Sequence, residues 1–169
     1  MSVLPVLVVF DLDHTLWPFF VDTHVTPPMK KNSSGQIVDS RGRIIKHYED
    51  VPEILEYLKN EGIKIAIASR TVELDGANQL LNLFKWNRFI DFKEIHPGSK
   101  ITHFEKIKKD SGISFSDMLF FDDEERNIKD IGRLGVQAIH VAKGMTMQIL
   151  ETALQKFEAH KLSQMSSKL

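Results

Sequence analysis

Two aspartates, Asp11 and Asp13, stand directly after the apolar run Val6–Phe10, with Leu12 between them. The run is short and rich in β-branched side chains, which marks a strand covered on both faces. Asp11 therefore falls at a strand's carboxyl end, where open α/β sheets form their ligand crevices. A carboxylate there can serve as a nucleophile or a metal ligand, and a second one two residues on can move a proton. Three more polar clusters fall at or just after the ends of later strands: Ser69 with Arg70, then Lys100, then Asp122 with Asp123. Phosphoryl transfer asks for this mixture: a nucleophile, a proton donor, acids for a divalent cation, and cationic or hydroxyl groups for the phosphate oxygens.

Singly, each cluster has a plainer explanation. Asp13 and Thr15 could cap a turn, Ser69 could start a helix, Lys100 could be a solvated surface lysine, and Asp122 and Asp123 could be acids at a helix N-terminus. Their recurrence in order, each at the same end of a strand, is what carries the chemical reading.

The elements that must position these residues alternate. After the first strand come a helix from Asp50 to about Glu61, a strand at Lys64–Ala68, a helix at Leu74–Phe84 and a strand at Phe89–Ile95. A helix from about Ser99 to Asp110, a strand at Met118–Phe121, a helix at Glu125–Leu134, a strand at Gln137–Val141 and an amphipathic helix from Thr146 to about His160 complete the series. Pro52 near the start of the first helix and Gly62 just past its end are the expected punctuation. This alternation predicts an α/β fold with a doubly wound, mainly parallel sheet. Residues 1–160 form one domain, and 161–169 read as a free tail. Between about 17 and 49 lies an irregular, polar insert broken by Pro27-Pro28 and Gly35. Within it Gln36–Val38 and Arg43–Ile45 flank a turn, predicting a β-hairpin near 36–46 that stands over the crevice.

The composition narrows the chemistry. With 169 residues and 42% hydrophobic content the chain suits a single core. It carries 22 Lys plus Arg against 23 Asp plus Glu, so general electrostatic capture of nucleic acid or an anionic membrane is not expected. There is no cysteine, which excludes disulfides, thiol catalysis and cysteine-ligated metals and leaves oxygen or histidine ligands. No basic leader or membrane-length apolar stretch is evident, so a soluble, cytoplasmic protein, acting as a monomer, is expected.

Asp11-Leu12-Asp13-His14-Thr15, Ser69, Lys100 and Phe121-Asp122-Asp123 resemble the four ordered motifs of the haloacid dehalogenase-like superfamily, across nearly the whole chain. Ile67–Thr71, His96–Phe104 and the short insert more narrowly resemble the eukaryotic magnesium-dependent phosphatase family, whose cap is minimal. The resemblance implies that Asp11 attacks phosphorus to give an aspartyl-phosphate, while Asp13 protonates the leaving oxygen and then deprotonates the hydrolytic water. It implies Mg2+ held by Asp11, the carbonyl of Asp13 and Asp123, with Asp122 in support. Leu12, Ser69 and Lys100 are implied as phosphate ligands, and Arg70 and Phe20 as contacts for the phosphate or the rest of the substrate. Asn127 and Thr15 are expected behind them, Asn127 bracing the Asp123 loop.

The remaining candidates carry less. His14 lies between the acids in sequence, but its side chain should point away from them. His24, His47 and His140 have no metal-like spacing, and His103 could either line the crevice or cover its helix. Trp17, Phe19 and Phe20 read as packing under the insert, although an aromatic substrate group could stack on them. The expected activity is a phosphomonoesterase with an open site, its substrate a phosphotyrosine protein or a sugar or glycated-amine phosphate. Two alternatives stand beside it: a phosphoserine/threonine phosphatase like those acting on the RNA polymerase II tail, and a receiver-like regulatory module that keeps its phosphoryl group. A receiver, however, has no use for a water-activating base at Asp13.

Overall fold

The computed structural model describes residues 3–167. Its centre is a sheet of five parallel strands: β1 (Leu7–Phe10), β4 (Lys64–Ser69), β5 (Phe92–Ile95), β6 (Met118–Asp122) and β7 (Gln137–His140), in the order β5-β4-β1-β6-β7. Every residue of β1 is buried, as befits a middle strand. Phe10 lies level with Ile67 of β4 on one side and Phe121 of β6 on the other. The next residue, Asp11, is therefore brought between the ends of both neighbours, where the winding of the sheet reverses.

Alternate strand residues feed opposite cores. Val8, Phe10, Ile65, Ile67, Leu119 and Phe121 pack with α1 (Val51–Asn60), α2 (Leu74–Leu83) and α5 (Met147–Ser167). Leu7, Val9, Ala66, Ala68 and Phe120 pack on the other side with α3 (Lys100–Ser111) and α4 (Glu125–Gly132). The punctuation of α3 is local in origin. Ser99 caps it by accepting from the Ile101 N–H at 3.1 Å, and Gly112 ends it in the left-handed region at φ 72°. Lys100 is thus the first helical residue, directed inward.

Three expectations change. The strand expected from Phe89 begins at Phe92, because Phe89 and Ile90 close turns on the carbonyls of Trp86 and Asn87. The turn at 39–42 forms, with Val38 bridging Ile44, but a further strand, β2 (Lys30–Lys31), pairs with β3 (Ile37–Val38). This small sheet does not stand over the crevice. It leans on α2, where the Met29 N–H donates to Gln79 Oε1 at 2.8 Å, and the insert reaches the crevice instead through Phe20 and Asp22. The expected tail is helical as far as Ser167. Extending an existing helix costs no new nucleation, and Lys161 anchors this stretch to Asp117 at 3.0 Å. Among the described residues no helix is long and apolar enough to cross a membrane.

Candidate active site

A crevice of about 180 Å³ opens at the carboxyl end of the sheet, lined by Asp11, Asp13, Ser69, Arg70, Lys100 and Asp123, with Phe20 and Asn127 at its sides. Residues from four separate stretches of sequence therefore meet in one place. Thr71, the last residue of the Ile67–Thr71 motif, also lines it, as do Asp22 and Glu124, which no motif had singled out.

Lys100 is the pivot. Its ammonium is buried and donates to Asp11 Oδ1 at 3.0 Å, contacts Asp122 Oδ2 at 3.2 Å and bonds the Ala68 carbonyl. Burial opposes the charge, but the two carboxylates outweigh it and hold the lysine pKa above its ordinary value. The other oxygen of Asp11 accepts from Thr15 Oγ1 at 3.3 Å. Asp122 is fully buried and already engaged, its Oδ1 accepting from the Glu124 N–H at 2.8 Å and its Oδ2 from Asn127 Nδ2 at 3.1 Å. Asn127 thus braces Asp122, where a bond to the Asp123 loop had been expected. That loop is held instead by His140, whose Nε2 lies 2.8 Å from the Asp123 carbonyl.

Asp13 and Asp123 both resist ionisation. Burial, reinforced by the negative charge of Asp11, raises Asp13 to about 6, against the pull of hydrogen bonds from Trp17 and Val21. Burial raises Asp123 to about 8, with a hydrogen bond to Asp11 and the charges of Asp11 and Asp122 adding to it. Asp11, Asp122 and Asp123 each offer an oxygen, all within 4.8 Å of one another. Three carboxylates facing one ammonium make an oxygen-rich, charge-deficient cluster, which fits a hard divalent cation. Asp122 is fully buried and does not line the crevice, whereas Asp11 and Asp123 do, so these two are the side chains of the cluster that face it.

The other expected residues divide by what they touch. The Leu12 side chain is fully buried, so only its main chain can serve a ligand. Ser69 is buried at the crevice wall, its Oγ accepting from the Thr71 N–H at 3.3 Å. Arg70 Nε is buried and has no partner among the described residues, which leaves the guanidinium available to an anion. His14, at φ 60°, does not line the crevice and packs edge-on against Phe20 at 4.4 Å. His24 Nδ1 accepts from the Phe20 N–H, and His47 packs against Phe84 and Trp86. His103 neither lines the crevice nor covers its helix from outside. It is fully buried, with Nε2 3.1 Å from the Ser69 carbonyl and 2.8 Å from that of His96, joining the ends of β4 and β5.

The family model described as Acid Phosphatase matches residues 3–160. Magnesium-dependent phosphatase 1 of Homo sapiens is 54% identical over 157 residues, spanning 93% of this chain and 89% of the relative. A HAD-like hydrolase superfamily protein of Schizosaccharomyces pombe is 42% identical over 157 residues, spanning 86% of this chain and 91% of the relative. In fold, the chain is similar to a phosphatase domain from a Bacteroides fragilis protein solved with Mg, at a TM-score of 0.60 and 19% identity, covering 83% of this chain and 37% of that one. The chain belongs to the acid phosphatase family and is a magnesium-dependent phosphatase of the haloacid dehalogenase-like superfamily.

Proposed function

We propose that the chain hydrolyses phosphomonoesters through a covalent aspartyl-phosphate on Asp11. The observation that carries this reading is the unequal pair of acids at one crevice, Asp11 tied to a buried ammonium at 3.0 Å and Asp13 raised to about 6. A carboxylate oxygen of Asp11 attacks phosphorus as the bond to the ester oxygen breaks, and Asp13 gives its proton to that leaving oxygen. Asp13, now a carboxylate, takes a proton from a water that attacks the same phosphorus, releasing inorganic phosphate and restoring Asp11. Lys100, Ser69 and the main chain at Leu12 hold the phosphoryl oxygens, and the Lys100 charge offsets that of the nucleophile and phosphate together.

The side chains of Asp11 and Asp123 and the carbonyl of Asp13 would hold the magnesium. When bound, it supplies positive charge to the phosphoryl oxygens and to the carboxylates around it. Thr15 and Asp122 keep the nucleophile and the lysine in place.

Among the described residues no folded cap domain stands above the crevice. Its mouth carries Phe20, 42% exposed, and Arg70 lines its wall, its buried Nε without a partner among the described residues. An aromatic surface beside a free guanidinium supports bulky substrates, such as a phosphotyrosine protein or a sugar or glycated-amine phosphate, with Phe20 and Arg70 contacting the part beyond the phosphoryl group. Asp13 at the same crevice favours turnover over a stable phospho-aspartate switch.

The test is hydrolysis of an aryl phosphate by wild type and by Asp11→Asn, each with magnesium and with excess chelator. Activity confined to wild type with magnesium is expected, together with acid-stable radiolabel on the protein after quenching with labelled substrate. Substantial turnover by Asp11→Asn would rule out the covalent route.

A further inference from the structure

We propose that Trp17 is a positioning residue for Asp13: its indole N–H pins one carboxyl oxygen, so that the other alone carries the proton exchanged with substrate and water. This rests on Asp13 being the general acid and base of the proposed reaction, and it adds a residue that the motif pattern had placed in the packing.

The geometry is specific. Trp17 Nε1 donates to Asp13 Oδ1 at 2.8 Å, and the Val21 N–H donates to the same oxygen at 3.1 Å. With two donors filling its acceptor positions, Oδ1 cannot also hold a proton turned toward the crevice. Oδ2 accepts from no group among the described residues and belongs to a side chain that lines the crevice. A carboxyl group free to rotate would present either oxygen, in either protonation state, and each wrong presentation is unproductive. General acid catalysis depends on a donor held within hydrogen-bond reach of the leaving oxygen. Pinning Oδ1 also ensures that the oxygen that gives up its proton in the first step is the one that faces water in the second.

The chain builds this arrangement locally. The Leu12 carbonyl accepts from the N–H groups of Thr15 and Leu16 at 3.0 and 2.9 Å, and the His14 N–H donates to the Trp17 carbonyl at 2.7 Å. His14 takes up φ 60° in this turn. The turn brings Thr15 back to Asp11 and Trp17 back to Asp13, so each acid is bonded by the residue four positions after it. The indole is then fixed from outside. It is fully buried and stacks on Phe19 at 5.5 Å and on Trp86 at 6.2 Å, with interplanar angles of 5° and 15°. Such a plate cannot swing its N–H away from Oδ1 without disturbing the core.

A buried indole also needs an acceptor merely to be stable, and the test separates that role from positioning. It compares kcat/KM of wild type, Trp17→Phe and Asp13→Asn on p-nitrophenyl phosphate, whose leaving group needs little protonation, and on phenyl phosphate, whose leaving group needs more. This ratio reports the step in which the leaving oxygen departs. Asp13→Asn should lose more on phenyl phosphate than on p-nitrophenyl phosphate. Trp17→Phe should follow in the same direction, losing ~10-fold on phenyl phosphate and under ~3-fold on p-nitrophenyl phosphate, a fraction of the full general-acid contribution. Inhibition by inorganic phosphate should stay unchanged in Trp17→Phe. An equal loss on both substrates, or none, would overturn the positioning role while leaving Asp13 as the acid. If Asp13→Asn itself lost equally on both, the general-acid role of Asp13 would fall and the role of Trp17 with it. Should Trp17→Phe fail to fold, benzothienylalanine placed at position 17 keeps the bicyclic shape without the N–H, and the same two outcomes apply.

Discussion

Asp39 in the insert and Asp123 in the crevice are both acids in folded surroundings, yet those surroundings move them in opposite directions. Asp39 is buried, which alone would raise its pKa. It nevertheless accepts from the N–H groups of Thr26, Arg41 and Arg43 at 2.9–3.0 Å and from Arg43 Nε at 2.8 Å, and these donors hold it at about 2. Asp123 meets other carboxylates where Asp39 meets donors, and it rises to about 8. A carboxylate that holds a loop together is given all its partners by the chain itself. One proposed to bind a cation is left short of them, and until a cation arrives the repulsion among these acids is met by a retained proton.

The contrast can be broken most severely at the nucleophile. Asp11→Asn should lower kcat by about 10⁴-fold or more, since no neighbouring group can replace a lost nucleophile, while its far-ultraviolet circular dichroism and melting profile remain those of a folded protein. Steady-state kinetics with magnesium, alongside the melting curve, decide this. Lys100→Ala acts on the same cluster from the opposite sign. It removes the one buried ammonium from Asp11 and Asp122, so affinity for inorganic phosphate should fall on the order of 10- to 100-fold. Isothermal titration with phosphate checks it, and unchanged affinity would take Lys100 out of the site.

In the insert the expected pattern is reversed, with stability changing and catalysis left alone. Asp39→Asn leaves several N–H donors short of a charged acceptor and should cost about 2 kcal/mol in denaturant unfolding, with kcat/KM close to wild type. A large catalytic loss would show that the insert and the crevice are not separate in the way their hydrogen bonds imply.

The pH responses sharpen the comparison further. Asp39 has its pKa depressed to about 2, so its contribution is fully present above the unfolded value of about 3.9 and is lost as pH falls toward 2. Asp13 and Asp123 are raised, to about 6 and about 8. Between about pH 4 and those values the metal-free folded protein keeps protons that the unfolded chain has released, so these two acids make it less stable as pH rises. Magnesium relieves that repulsion, and the rise in Tm on adding it should grow by a few degrees from pH 5 to pH 8. A magnesium increment independent of pH would mean that the cation binds away from Asp123.

What could be read from the sequence was what local pattern dictates. The β-branched run before Asp11 had to be a buried strand, the alternation of periodicities had to give a parallel sheet, and a parallel sheet gathers the residues at its strand ends. That much fixed the neighbourhood of Asp11, Asp13, Ser69, Lys100 and Asp123 without a coordinate. Partners were another matter, because they depend on how loops close and which way side chains turn. Only the tertiary structure set Lys100 between two carboxylates, gave Asn127 to Asp122, turned the Trp17 indole onto Asp13 and laid the small sheet of the insert against α2. Helical residues beyond His160 were missed for the same reason in reverse: Leu162 and Met165 are exposed, so no apolar face marked the stretch, and it is helical because a helix already precedes it. Periodicity reports which surfaces must be buried, whereas hydrogen-bond partners and ion pairs are settled by distances of a few tenths of an ångström, which exist only once the chain has packed.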